Sequence, residues 1–368
     1  VRACTPKDIS PTGVPRTPPL PLSLPGGHDG RMPTAPTSGQ PLPRIVVVGT
    51  GGTIAGSSAA TTTKRYQAGV LGVADLLAAV PSLAEVAEIR CEQLYQIDSV
   101  EMDLPRQLDL ARAVSRLAAE DDVDAVVVTH GTDTLEETAY ALHLLVDTDK
   151  PVVVVGAMRP ADAAGADGPG NLLAAVRVAA HPTSRGLGAL VVVGEEIHSA
   201  RDVRKEHTSR VDAFGSLTGP LGELAGGVPR YAHIPARRHG AATAVTLAAI
   251  DQPAAVEVLV TRAELPPQIV DAVVASGARG IVHAGPGAGN VPERVAAALD
   301  RARSAGVVVV RSSRVAWGTV ARGDAFDDDG HDFVAAADLG PYKARVLLAL
   351  ALTITDDPAR LQQIFDTH

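Results

Sequence analysis

Short β-branched runs alternate with helix-length amphipathic segments along most of this chain, and that alternation limits the folds open to it. The runs are Ile45–Val48, Ala125–Val128, Val152–Val155, Leu190–Val193, Val256–Val260, Gly280–His283 and Val307–Val310. Helical patterns lie between many of them, at Leu104–Ala119, Thr134–Val146, Pro169–Ala180, Pro267–Ala275, Pro292–Ala305 and Pro341–Leu352. Continuous apolar strands joined through helices predict an α/β protein with largely parallel sheets. With aromatics at only 3%, the core must be built from Val, Leu, Ile and Ala. In such sheets ligands sit beyond the carboxyl ends of the strands, so the loops after each run are where function is expected.

Organisation follows from composition. Residues 1–43 hold 11 of the 27 prolines and almost no periodic apolar pattern. Such a segment cannot bury enough surface to offset its ordering entropy, so a disordered tail is expected. Leu20–Leu24 is interrupted by proline and is no signal peptide, which points to the cytoplasm. Tyr231–Gln252 carries no clear strand. The expected division is therefore a larger N-terminal α/β domain at 44–232, a linker at 233–252 and a smaller C-terminal α/β domain at 253–368. A net charge of −9 argues against a duplex nucleic-acid partner. No apolar run reaches membrane-spanning length, so no membrane partner is expected. Cys4 and Cys91 make neither a disulfide framework nor a thiolate metal site.

Two strand-end loops resemble one another chemically. The first, Gly49-Thr50-Gly51-Gly52-Thr53-Ile54-Ala55-Gly56, fails the dinucleotide spacing, because Ile54 occupies the third glycine position and Ser57–Thr63 reads as loop. It also lacks the Gly-Lys-Ser/Thr ending of a phosphate loop. What remains is a glycine turn presenting the hydroxyls of Thr50 and Thr53. The second is Thr129-His130-Gly131-Thr132-Asp133-Thr134. Thr134 and Glu137 form a capping-box pattern, which places Thr132 and Asp133 just before a helix N-terminus, where free N–H groups favour an oxyanion or a carboxylate. Simple capping explains these residues equally well. A threonine nucleophile needs a base, and Lys205, in the segment after Leu190–Val193, is placed to reach the crevice. On composition alone a solvated lysine is the commoner case. His130, beside a tight turn, reads as a structural hydrogen-bonder. No cluster has metal-site spacing, so no metal or cofactor is expected.

Together these motifs resemble the bacterial-type L-asparaginase/glutaminase family. Thr50-Gly51-Gly52-Thr53-Ile54-Ala55-Gly56 and His130-Gly131-Thr132-Asp133-Thr134 are joined by Gly156-Ala157-Met158-Arg159-Pro160, Asp167-Gly168-Pro169, Arg201-Asp202-Val203 and Arg311-Ser312-Ser313-Arg314. They stand in the family's order and span 44–368. The resemblance implies a threonine-nucleophile amidohydrolase acting on L-asparagine, with L-glutamine as a side substrate, through a β-aspartyl enzyme and without a cofactor. It assigns catalytic roles to Thr53, its partner Tyr66, Thr132, Asp133 and Lys205. Substrate binding falls to Gly52, Ser99, Val100, Thr132, Asp133 and Ala157: Ser99 on the α-carboxylate, Asp133 on the α-amino group and the Ala157 backbone near the amide. It favours Thr53 for first attack and leaves the Thr132–Lys205 pair to activate that hydroxyl or the later water. It further implies a homotetramer with sites shared between subunits.

The chain departs from the family pattern where substrate head groups bind. Val100 stands where many secreted members have glutamine. Ala325, with Asp324 and Asp327 nearby, replaces a glutamate reaching in from a neighbouring subunit, and Glu264 lies roughly where an asparagine is usual. These departures bear on affinity and on the Asn/Gln preference, and leave the reaction type intact. Two other functions are weighed against a free-standing asparaginase. An ammonia-supplying subunit of a tRNA-dependent amidotransferase predicts an ordered N-terminal module, which a proline-rich tail does not resemble. A non-catalytic amino-acid-binding protein is at odds with intact Thr53, Thr132, Asp133 and Lys205.

Overall fold

The computed structural model describes residues 41–58 and 66–368. The tail expected at 1–43 lies, for 1–40, outside the described residues, as does most of the Ser57–Thr63 loop. In chain order the strands of the first half are β1 (Arg44–Gly51), the short pair β2 (Ser57–Ser58) and β3 (Tyr66–Gln67), β4 (Glu88–Ile97), β5 (Ala125–Thr129), β6 (Val152–Val155), β7 (Ala189–Val193), β8 (Glu196–Ser199), β9 (Val203–Lys205), β10 (Phe214–Ser216), β11 (Gly222–Ala225) and β12 (Val228–Tyr231). Helices α1 (Val73–Ala78), α2 (Leu104–Ala118), α3 (Leu135–Leu145) and α4 (Gly168–Ala180) lie between them. The second half contributes β13 (Val256–Val260), β14 (Gly280–Gly285), β15 (Val308–Ser313) and β16 (Val334–Ala335), with α5 (Gln268–Ala275), α6 (Glu293–Ser304), α7 (Asp328–His331), α8 (Pro341–Ala351) and α9 (Pro358–Thr367).

Among the described residues the larger sheet has eight strands in the order β12-β11-β8-β7-β6-β5-β1-β4. Its five strands from β7 to β4 run parallel, and β8, β11 and β12 extend it antiparallel. A second sheet, β13-β14-β15-β16, is wholly parallel. The expected α/β architecture with largely parallel sheets is therefore present. Strand alternation sorts the core: Val46, Val48, Val126 and Val128 share a cluster with α2 and α3, whereas Ile45, Val47, Ala125 and Val127 share one with α1 and α4. Helix α8 is a shared layer. Its residues are buried almost all round, against α3 on one side and against β13, β14 and β15 on the other.

Several elements escape the periodicity argument. β4 is the sheet's edge strand and mixes exposed with half-buried residues, so it shows no apolar run. Helix α9 is capped by Asp357, whose side chain accepts from Arg360 N, and it buries Leu361, Ile364 and Phe365. No described helix is long and apolar enough to cross a membrane. In the second half, the fully buried Arg311 donates to both oxygens of the equally buried Asp328 at 2.7 and 2.6 Å. It also donates to Ala288 O and Ala321 O, each at 2.8 Å, so one guanidinium ties down the loops that follow β14 and β15.

Candidate active site

The chain leaves β1 for the edge strand β4, then returns to the other flank of β1 as β5. The order therefore reverses at the carboxyl ends of β1 and β5, the point where ligands bind in open sheets of this kind. Both hydroxyl-bearing loops occupy that point. Gly51 and Gly52 take φ of 102° and 81°, which turns the chain sharply from β1 into a 3-10 turn at Thr53–Ala55. A Cβ on Gly52 would lie 2.2 Å from both N and Cα of Gly131, so the two loops touch backbone to backbone. A Cβ on Gly131 would in turn meet Ser99 Oγ at 2.6 Å. The glycines thus gather Thr53, Thr132 and Ser99, all buried, into one place.

Two expectations about hydroxyls are corrected here. Thr50 is not presented at the strand end. It is buried, and its hydroxyl donates to Thr129 O at 2.8 Å, pinning β1 to β5. Thr134 and Glu137 form no capping box, because the Thr134 hydroxyl instead donates to Ser99 O at 2.7 Å and no side chain caps α3 there. Tertiary fixing of the Ser99 turn outcompetes local capping. Glu137 packs near Arg345 at 3.6 Å, and burial raises its carboxyl to about 7. His130 is fully buried with Nδ1 against Gly131 O at 2.7 Å, and burial pushes its imidazole down to about 4. It shapes the turn as a neutral ring.

Lys205 ends β9, which pairs with β10. From there its Nζ donates to Thr132 Oγ1 at 2.9 Å and to Asp133 Oδ1 at 2.6 Å. Its backbone N–H donates to Glu136 Oε2, also at 2.6 Å, from the first turn of α3. Glu136 was not singled out in the sequence, where it reads as an ordinary acidic residue near a helix start. The structure therefore brings Thr132, Asp133 and Lys205 into one hydrogen-bonded set beside the Thr53 turn.

A further backbone turn packs against Thr132. Gly156 abuts Thr132, since a Cβ there would meet Thr132 Cγ2 at 3.0 Å. Ala157 follows it, fully buried. The turn beyond is held by Asp167, whose two oxygens accept from Met158 N and Arg159 N at 2.9 Å each, and by Asn171, which donates to Gly156 O at 2.9 Å. At the rim, Val100 is 62% exposed beside buried Ser99. Tyr66 enters β3, paired with Ser58; its side chain lies outside the described residues. Asp324, Ala325 and Glu264 are exposed, and Asp327 caps α7 by accepting from Gly330 N at 3.0 Å. Among the described residues no group of three or more His, Cys, Asp and Glu is gathered as a metal ion would need.

Comparison with known proteins agrees with this geometry. Residues 44–237 match the asparaginase N-terminal family, and residues 255–365 match the glutaminase/asparaginase C-terminal domain. The chain is 44% identical over 326 residues to a glutaminase-asparaginase of Pseudomonas fluorescens biotype A, covering 88% of this chain and 90% of that one. It is 43% identical over 328 residues to L-asparaginase 2 of Escherichia coli strain K12, covering 89% and 94%. The crystal structure of a probable cytoplasmic L-asparaginase from Campylobacter jejuni superposes with a TM-score of 0.86 at 40% identity, over 89% of this chain and all of that one. With both domains matched and its glycine turns joined in the family's order, the chain belongs to the asparaginase family.

Proposed function

We propose that this chain hydrolyses the side-chain amide of L-asparagine to L-aspartate and ammonia, with L-glutamine as a second substrate. The observation that carries the reading is the contact of Lys205 Nζ with both Thr132 Oγ1 and Asp133 Oδ1, next to the turn that bears Thr53. A lysine held against a threonine hydroxyl in this way can take up or return that hydroxyl's proton.

In this reading Thr53 attacks the amide carbon while its proton passes into the Thr132–Lys205 pair. The tetrahedral oxyanion is stabilised by backbone N–H groups of the glycine turns, where losing one donor typically costs about 10²–10³ in rate. Collapse breaks the C–N bond, the nitrogen takes up a proton and ammonia leaves, with the acyl group held as an ester on Thr53. Water, deprotonated by the same pair, then cleaves the ester and returns a proton to Thr53. Ser99 is assigned to the substrate's α-carboxylate. Asp133 is half-exposed; one oxygen holds Lys205 and the other is left for the α-ammonium. Gly52, Val100 and the Ala157 backbone line the remaining substrate-binding positions, and Tyr66 is assigned as the partner of Thr53. The two sheets support a division into domains at 44–232 and 253–368.

We also infer a homotetramer with shared sites, supported by family membership and by the open rim at Val100, and a cytoplasmic location, supported by likeness to the Campylobacter protein. Light scattering and cell fractionation test these two points. The chemistry is tested by acid-quenching wild type during turnover of asparagine and mapping the acylated peptide. An aspartyl ester on Thr53 supports the reading, and an ester on Thr132 overturns the order of attack.

A further inference from the structure

Helix α8 belongs to the second half of the chain, yet its first turn reaches the segment that delivers Lys205. Lys343 is buried, and its Nζ donates to Ala200 O at 2.9 Å, to Arg201 O at 2.7 Å and to Val203 O. An ammonium has one hydrogen for each of these three carbonyls. The segment they belong to, residues 200–203, runs straight into β9 and Lys205. Arg201 anchors the same stretch through Asp338, with contacts of 2.7 and 3.2 Å. Glu136, Asp202, Arg201 and Arg204 face the ammonium electrostatically, and the Tyr140 ring lies 5.9 Å away. Nothing in the chemistry proposed above uses this lysine, and a lone buried lysine is an expensive group to keep for packing alone.

We propose that Lys343 is a positioning residue for the reaction, fixing by its three carbonyl bonds where the Lys205 amine stands against Thr132. This rests on the amidohydrolase reading. Lys343 touches neither substrate nor reacting atoms. Its effect passes through backbone that it immobilises. Misplacing a catalytic group by about 1 Å can cost roughly 10²-fold in rate.

The test combines kinetics and structure. K343M removes the three donors while keeping length and apolar volume. It is expected to lower kcat for asparagine about 10- to 100-fold with KM changed less than about twofold. K343Q, which retains two N–H donors, should fall between K343M and wild type. In a K205M background K343M should add no further loss, because the group it positions is already gone. A Lys343 with a merely stabilising role would lower the melting temperature, leave kcat per folded site unchanged or cut it equally in both backgrounds, and so overturn the proposal. If K343M does not accumulate as folded protein, K343Q carries the same cycle. A crystal structure of the folded variant decides independently of turnover. Lys205 Nζ drawn out of hydrogen-bond range of Thr132 Oγ1 supports positioning, and an unmoved Lys205 refutes it. A wild type silent on asparagine would sink the proposed reaction, and the structural arm would still decide the role of Lys343.

Discussion

The backbone N–H of Lys205 is held by the carboxylate of Glu136 at 2.6 Å, so the first turn of α3 fixes the lysine whose side chain bonds Thr132 just ahead of that helix. One short stretch of chain therefore supplies both the hydroxyl and the anchor of its amine. E136A is expected to lower kcat about tenfold by freeing that end of β9. E136Q keeps an oxygen acceptor in place and should stay within about threefold of wild type. Steady-state kinetics on the two variants checks this.

Gly52 is the tightest junction between the two loops. An added methyl would lie 2.2 Å from Gly131 backbone, at a φ of 81° that side chains disfavour. G52A should therefore push the Thr53 turn away from Thr132 and reduce kcat more than about 100-fold. It should also cost about 1–3 kcal/mol of stability from the backbone strain. Activity and urea unfolding read the two effects separately.

The Arg311–Asp328 pair is wholly buried, and Asp328 also accepts from Gly323 N at 2.9 Å. D328N leaves a buried guanidinium without its counter-charge and should destabilise by about 3–5 kcal/mol. Replacing both partners by methionine removes the uncompensated charge, so the double variant should unfold at higher urea than D328N. If the double variant is the weaker of the two, the pair is not the source of the cost.

Burial holds His130, His198 and His283 down to about 4 and His143 to about 3, against 6.5 for a free imidazole. Each stays neutral when folded but takes a proton when unfolded below 6.5. The stability that these rings contribute is complete above pH 6.5 and lost as pH falls toward their folded values. Glu137 works in the opposite sense: its carboxyl, raised from 4.5 to about 7, favours the folded state below 4.5 and loses that advantage as pH rises through 7. Across these five groups alone, a net of about three protons should therefore be taken up on unfolding near pH 5.5. H143M should remove one of them, flattening the slope of unfolding free energy by roughly 1 kcal/mol per pH unit between 6.5 and 4. Urea titrations across that range measure it.

The central strands and helices were legible because burial on both faces makes them continuous apolar runs, as in Val152–Val155. β4 was not, because at the sheet's edge its residues are only exposed or half-buried and form no apolar run. Thr53, Thr132, Asp133 and Lys205 stood out in the sequence as hydroxyls, a carboxylate and an amine near strand ends, and the structure joins the last three in one hydrogen-bonded set. Thr50 and Thr134 carry the same hydroxyl but bond backbone carbonyls, a distinction that depends on contacts 79 and 35 residues away along the chain. Glu136 and Lys343 escaped for the same reason. Their partners are backbone atoms of a distant segment, and no local pattern marks a side chain chosen for that.

Two threonines on touching turns, served by Lys205, are proposed to hydrolyse asparagine. Ammonia release from L-asparagine by folded wild type, T53A and T132A tests it most directly. Turnover by wild type and a loss of at least about 10³-fold in each variant are expected, as when members of one catalytic unit are removed singly. Wild-type turnover that survives either substitution would contradict it.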